Sequence, residues 1–174
     1  MSDRTDRLAQ TNFWDQIFEL RDEQRENRKN GIQVIKEKEL PLELNRQGLM
    51  RWYMHPGIKD TILATNLVFT QEIPPGSRTG KLLFGGDQVI YIIEGQGYTL
   101  LDGVKHPWKA GDALNLPLRK PGITVQHFNT DPDKPAKFIA VEPNFLACAS
   151  VDRGTGFEQL ENAPEFDRAK REGR

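Results

Sequence analysis

Residues 76–95 read GSRTGKLLFGGDQVIYIIEG, and this stretch decides the fold. It opens on the turn Pro74-Pro75-Gly76 and closes on Glu94-Gly95-Gln96-Gly97. Within Gln88–Ile93 both faces are apolar, because Ile90 and Ile92 alternate with Val89, Tyr91 and Ile93. A strand of that composition is expected to be covered on both sides, the outer one for example by a second subunit. Its neighbours have the same rhythm of short β-type runs cut by Gly and Pro. Strands are expected at 49–54, 62–73, 88–93, 97–101, 112–116, 123–129 and 136–142. Turns at Asp102-Gly103, Ala110-Gly111-Asp112 and Asp131-Pro132-Asp133 separate them. Asp102-Gly103 between Tyr98–Leu101 and Val104–Trp108 is a strong hairpin signal. Short strands with frequent turns predict an antiparallel sandwich or barrel, an all-β fold.

The flanks differ. Phe13, Ile17 and Leu20 recur at helical spacing beside Trp14 and Phe18, which predicts a helix over 12–29. Asn12 can cap it and Gly31 can stop it. The aromatic half should dock, either on the body of the chain or in an oligomer contact. The division expected is an N-terminal helix and arm over 1–48, a barrel over 49–147 and a polar tail over 148–174, extended or partly disordered.

The chain has 174 residues, enough for one domain with a real core. Net charge is -1, so no global field favours nucleic acid or anionic membrane. Mean hydropathy is -0.63, no apolar run approaches a membrane span, and the N-terminus has no apolar leader, which predicts a cytoplasmic protein. The single cysteine, Cys148, sits among Leu146, Ala147 and Ala149 and reads as a buried structural thiol. There is no P-loop, no third glycine after Gly95-Gln96-Gly97, and no nucleophile motif.

The spacing within 76–95 resembles the first signature of the cupin family: Gly, five residues, His, one residue, His, three residues, Glu, six residues, Gly. Gly76 and Gly95 match the ends, while Leu82 and Phe84 stand at the histidine positions and Gln88 at the glutamate. The segment GDALNLPLRKPGITVQHFN resembles the second signature through Gly111, Pro117, Gly122 and Asn129. Val125 stands at its histidine position, and Leu118–Lys120 is an insertion expected to bulge. The resemblance covers roughly residues 62–145. It implies a double-stranded β-helix, the jelly-roll barrel, behind an N-terminal helix. Narrower wording, YIIEGQGYTLLDG and QHFN, is most like single-domain relatives of gentisate-type ring-cleaving dioxygenases, which implies a place in aromatic catabolism.

In most cupins the four substituted positions hold a metal. Leu82, Phe84 and Val125 cannot donate to one, and Gln88 is a weak neutral donor. No cofactor is therefore expected. The apolar wall they make suits either a filled core or a site for an apolar ligand. Ile90 shares the inward face with Gln88. His127 follows Val125 by two residues, so it shares that face and can serve as acid/base or hydrogen-bond donor. Gln88 can polarise a carbonyl. Arg51 could bind a carboxylate and Trp52 could stack on a ring. His106 and Asp87 read as surface groups and His55 as a turn residue; a rebuilt metal set of His55, His127 and Gln88 is the least favoured option. Tyr91 and Tyr98 read as core or interface.

Three functions follow as expectations. The first is a metal-free cupin binding a small apolar or aromatic molecule, with a lyase-, isomerase- or cyclase-type step if it is catalytic. The second is a non-catalytic partner subunit of a related enzyme. The third is a dioxygenase with an unusual metal set. A homodimer is expected in each, with no nucleic acid or membrane partner.

Overall fold

The structure is a computed structural model and describes residues 3–61, 65–143 and 157–173. Cys148 and the first residues expected in the 62–73 strand lie outside the described residues.

Two short-looped antiparallel sheets face each other. The strands are β1 (Glu43–Asn45), β2 (Gly48–Met54), β3 (Asn66–Ile73), β4 (Lys81–Phe84), β5 (Gln88–Glu94), β6 (Gln96–Leu101), β7 (Val104–Lys109), β8 (Ala113–Leu116), β9 (Ile123–Asn129), β10 (Ala136–Pro143) and β11 (Glu158–Glu161). One sheet runs β1-β2-β3-β10-β5-β8 and the other β11-β4-β9-β6-β7. β5 pairs with β10 and β8, strands distant from it in sequence, which is the jelly-roll interleaving expected.

Period-two alternation sorts the side chains. In β5 Gln88, Ile90 and Ile92 are buried, while Val89 and Tyr91 are about half exposed at 50% and 49%. In β10 Ala136, Phe138, Ala140 and Glu142 point in. Phe138, Ile73, Ile90, Ile92 and Ile123 form the fully buried centre. The tight turn after β5 depends on Gly95, which has φ +85° and lies where a Cβ would meet the Ala136 backbone at 2.7 Å. The hairpin at Asp102-Gly103 has φ +48° and +82°, the left-handed pair its sequence demands. The insertion bulges as expected: Leu118 is exposed and the Arg119 N–H bonds Gly85 O at 3.0 Å.

The N-terminal flank keeps the expected helix with its Asn12 cap and Gly31 stop, while the C-terminal flank departs from expectation. A short helix α1 (Asp3–Ala9) precedes α2 (Phe13–Asn30), which Asn12 caps through the Asp15 N–H. The aromatic end of α2 does not dock on this chain: Trp14 is 70% exposed, and Phe13, Ile17 and Leu20 are exposed with it. The described C-terminal residues, 157–173, are not an extended tail. β11 adds to the edge of β4, and α3 (Pro164–Arg171) follows behind the buried Ala163, whose N–H bonds Arg46 O at 2.8 Å. Proline at the start of α3 and basic residues in its last turn suit a helix there. No helix among the described residues is long and apolar enough to cross a membrane.

Candidate functional site

A cavity of about 510 Å³ lies between the sheets and under the C-terminal segment. Its walls come from β2, β3, β4, β5, β9 and β10, closed on one side by β11 and α3. Met50, Trp52, Phe69, Leu82, Phe84, Val125 and Phe138 make an apolar lining, with Phe157 and Phe166 added from the C-terminal segment. Phe157 stands edge-on to Phe84 at 5.4 Å, and Trp52 tilts against Phe69 at 5.1 Å. The interior is therefore not a solid core.

The antiparallel pairing explains why these side chains meet. Leu82 of β4 sits opposite Val125 of β9, and Phe84 opposite Ile123. Residues 82, 84, 125 and 127 thus share one inner face, and Gln88 reaches the cavity from the facing sheet.

His127 is 7% exposed and is held from several sides. Its backbone N–H donates to Thr79 Oγ1 at 3.0 Å, and its carbonyl accepts the Thr79 N–H at 2.9 Å. Its ring tilts on Phe138 at 5.0 Å. Its Nδ1 lies 2.7 Å from Thr99 Oγ1, which also accepts the Trp108 indole N–H at 3.0 Å. Burial lowers the imidazole to a pKa of about 4, so it is neutral near pH 7.

Gln88 is buried, and its Nε2 donates to Glu142 Oε2 at 3.1 Å. Glu142 is 3% exposed, an inward carboxylate that the sequence reading passed over. Inward parity with Ala136, Phe138 and Ala140 is the signal that marks it. Gln47, Gln71 and Gln159 add amides to the lining, and Gln126 is bonded beside it. Gln71 donates to Gln47 O at 2.6 Å, Gln47 to Gln159 Oε1 at 2.9 Å, and Gln126 to Thr79 O at 3.0 Å. The Gln47–Gln159 bond ties β11 to the turn between β1 and β2.

Leu82, Phe84, Gln88, Val125, His127 and Trp52 come together at the cavity. Two expected residues do not. Arg51 alternates with the inward Met50 and Trp52, so it lies on the outer face, where it pairs with Glu72 and lies 4.0 Å from Glu37. A carboxylate clamp from Arg51 is thereby corrected. Ile90 is fully buried in the core beside the cavity and does not line it. His55 is exposed against Trp52 at 4.9 Å, and His106 is exposed on β7. Asp87 is an exposed turn residue at φ +65°.

Structural comparison gives a consistent answer. The polyketide cyclase RemF from Streptomyces resistomycificus superposes with a TM-score of 0.55 at 15% identity, over 80% of this chain and 93% of that one. A cupin-like protein from Thermotoga maritima superposes with a TM-score of 0.51 at 18% identity, over 82% of this chain and 100% of that one. The chain has the cupin fold. Salicylate 1,2-dioxygenase from Pseudoaminobacter salicylatoxidans, with gentisate, gives 0.53 at 13% identity over 70% of this chain but only 30% of its own. No protein-family model and no curated protein matches the sequence.

A cupin metal needs imidazoles and a carboxylate converging on one point. Around this cavity the residues do not fit that need. Leu82, Phe84 and Val125 have no donor atom, and His127 is the one imidazole in the lining. No group of three His, Cys, Asp or Glu side chains able to hold a metal occurs among the described residues.

Proposed function

We propose that this cupin binds a small, largely apolar, ring-bearing molecule between its sheets, without a metal. The observation that carries the reading is the cavity itself: about 510 Å³, walled by aromatic and aliphatic side chains at the positions where a cupin metal site would stand, with His127 and Gln88 set among them and further amides and Arg46 in the lining. Ligand sites have this make-up, a greasy wall with a few placed polar atoms.

The chemistry that suits such a site is proton transfer without redox change. A neutral imidazole donating a hydrogen bond to a carbonyl oxygen polarises that carbonyl and stabilises negative charge gathering on the oxygen, as lyase, isomerase and cyclase reactions require. Gln88 would orient the same molecule through its amide. The likeness to a polyketide cyclase is in keeping with this class, and the likeness to a dioxygenase bound to gentisate is in keeping with an aromatic ligand.

The test is titration of untagged protein with 2-acetylnaphthalene, followed by tryptophan fluorescence, since Trp52 lines the cavity. Saturable binding that Val125→Trp abolishes by filling the cavity supports the reading. Unchanged binding in that folded variant contradicts it.

A partner-subunit role is the second reading, and one observation favours it. Val89, Tyr91, Ile93 and Val141 form an exposed apolar stripe on the outer face, and the aromatic end of α2 is bare. Homodimerisation through either surface is part of this proposal and is read by sedimentation.

A further inference from the structure

The hydrogen bonds behind the cavity wall preset the polarity of the two groups that face it. Thr99 is fully buried, so its hydroxyl has no water to turn to. That oxygen accepts from Trp108 Nε1, an atom that can only donate. Its one proton must then go to an acceptor, and His127 Nδ1 at 2.7 Å is its partner. Nδ1 is therefore the acceptor, and the proton of the neutral ring sits on Nε2. Nε2 has no hydrogen-bond partner among the described residues and belongs to a cavity-lining ring. A protonated ring would put a second incoming donor on Thr99 and strand the hydroxyl proton, which works in the same direction as burial.

Gln88 follows parallel logic. The amide edge facing Glu142 is the NH₂ edge, whose Nε2 donates to Glu142 Oε2 at 3.1 Å. Gln88 Oε1 takes no hydrogen bond among the described residues and remains the free edge of a cavity-lining side chain. Among the polar groups of the lining, which also include Arg46, Gln47, Gln71 and Gln159, this pair is a donor and an acceptor whose sense is set by the bonds behind them.

We propose that this pair selects a neutral ring compound bearing both a carbonyl oxygen, bound by His127 Nε2–H, and a hydroxyl proton, bound by Gln88 Oε1, with Thr99 as the positioning residue that sets the His127 tautomer. The proposal rests on the cavity being a ligand site. A hydroxylated aromatic ketone is the ligand class. Each correctly met hydrogen bond changes affinity by roughly three- to tenfold over an apolar isostere.

Two measurements test it. The first needs no ligand: ¹⁵N NMR of the imidazole in the free protein. The expected result is a protonated Nε2 and a bare, hydrogen-bonded Nδ1 for His127, a mixture of tautomers in Thr99→Val, and recovery in Thr99→Ser. A proton on Nδ1 in the unaltered protein overturns the proposal. The second compares isosteres. 2-Acetylnaphthalene should bind tighter than 2-isopropenylnaphthalene, and 2-naphthol tighter than 2-methylnaphthalene. The first preference should vanish in His127→Phe and the second in Gln88→Met. Equal affinities within each pair overturn this proposal while leaving the ligand-site reading intact. Failure of all four probes to bind overturns that reading, and the selection with it, even where the tautomer is as stated.

Discussion

Gln88 and Glu142 meet inside the protein: the amide Nε2 donates to the carboxylate at 3.1 Å, with the two side chains 6% and 3% exposed. At the position where the cupin resemblance implies a metal-binding glutamate, this chain carries a neutral amide facing an existing carboxylate. The substitution Gln88→Glu should therefore not restore a metal site. It should press two carboxylates together in a medium where like charges repel strongly. One of them would keep its proton, so the folded state would bind more protons than the unfolded one above about pH 4. Stability lost by Q88E should grow as pH rises toward neutrality, by about 2–4 kcal/mol, and shrink in acid. Urea denaturation at several pH values reads it. Equal stability of the two proteins at pH 7 would contradict this arrangement.

His127 gives a second dependence, of its own sign. Its folded pKa is about 4 against 6.5 for the free side chain. Between these values the unfolded chain binds the extra proton, so stability is full above pH 6.5 and falls as pH drops toward 4. The loss amounts to about 3 kcal/mol at most, from about 1.4 kcal/mol for each unit of difference. His127→Gln should remove that slope while leaving the contributions of the carboxylates. Identical pH profiles for the two proteins would show that the ring is not held neutral.

Gly97 predicts a steric failure. A Cβ there would lie 1.9 Å from Phe128 O and 2.6 Å from the Trp108 ring. Gly97→Ala must force β6 away from β9 and should cost about 2–4 kcal/mol. Gly103→Ala, at the hairpin tip with φ +82° and open space around it, should cost about 1 kcal/mol. Thermal melts of the two variants compare them directly; equal losses would deny the close β6–β9 approach.

How much of this was legible depends on what each signal reports. The inner face was legible because the spacing of the cupin signatures, carried by their glycines, places Leu82, Phe84, Gln88 and Val125 at one site, and strand parity adds His127 two residues after Val125. Parity also condemned Arg51, which follows the inward Met50, and it could have flagged Glu142 in step with Phe138. β4 was too short, and too close to the Gly-Gly turn, to stand out as a strand. The C-terminal segment was read as a tail because its polar residues outnumber its apolar ones. Its docking relies on the few apolar groups Phe157, Ala163 and Phe166 and on backbone bonds such as Ala163 N–H to Arg46 O, which no periodicity reveals. The Thr99–His127–Trp108 chain joins three strands, and long-range pairing of that kind leaves no local mark.

That docked segment makes its own prediction. Phe157→Ala removes an edge-on contact with Phe84 and part of the cavity wall. Binding of 2-acetylnaphthalene should weaken by about tenfold, in line with the loss of one aromatic face. The fold should survive, since Phe157 is only half-buried. Calorimetry on the variant reads both; unchanged affinity would place the ligand away from this wall.

The most direct measurement is a titration of 2-acetylnaphthalene into untagged protein stripped with a chelator and shown by elemental analysis to be free of iron, manganese, nickel and zinc. The expected result is saturable binding at one site per chain, with the same affinity before stripping and after any of those ions is returned. Binding that disappears on stripping and returns with a metal would contradict a metal-independent cavity for an apolar ring.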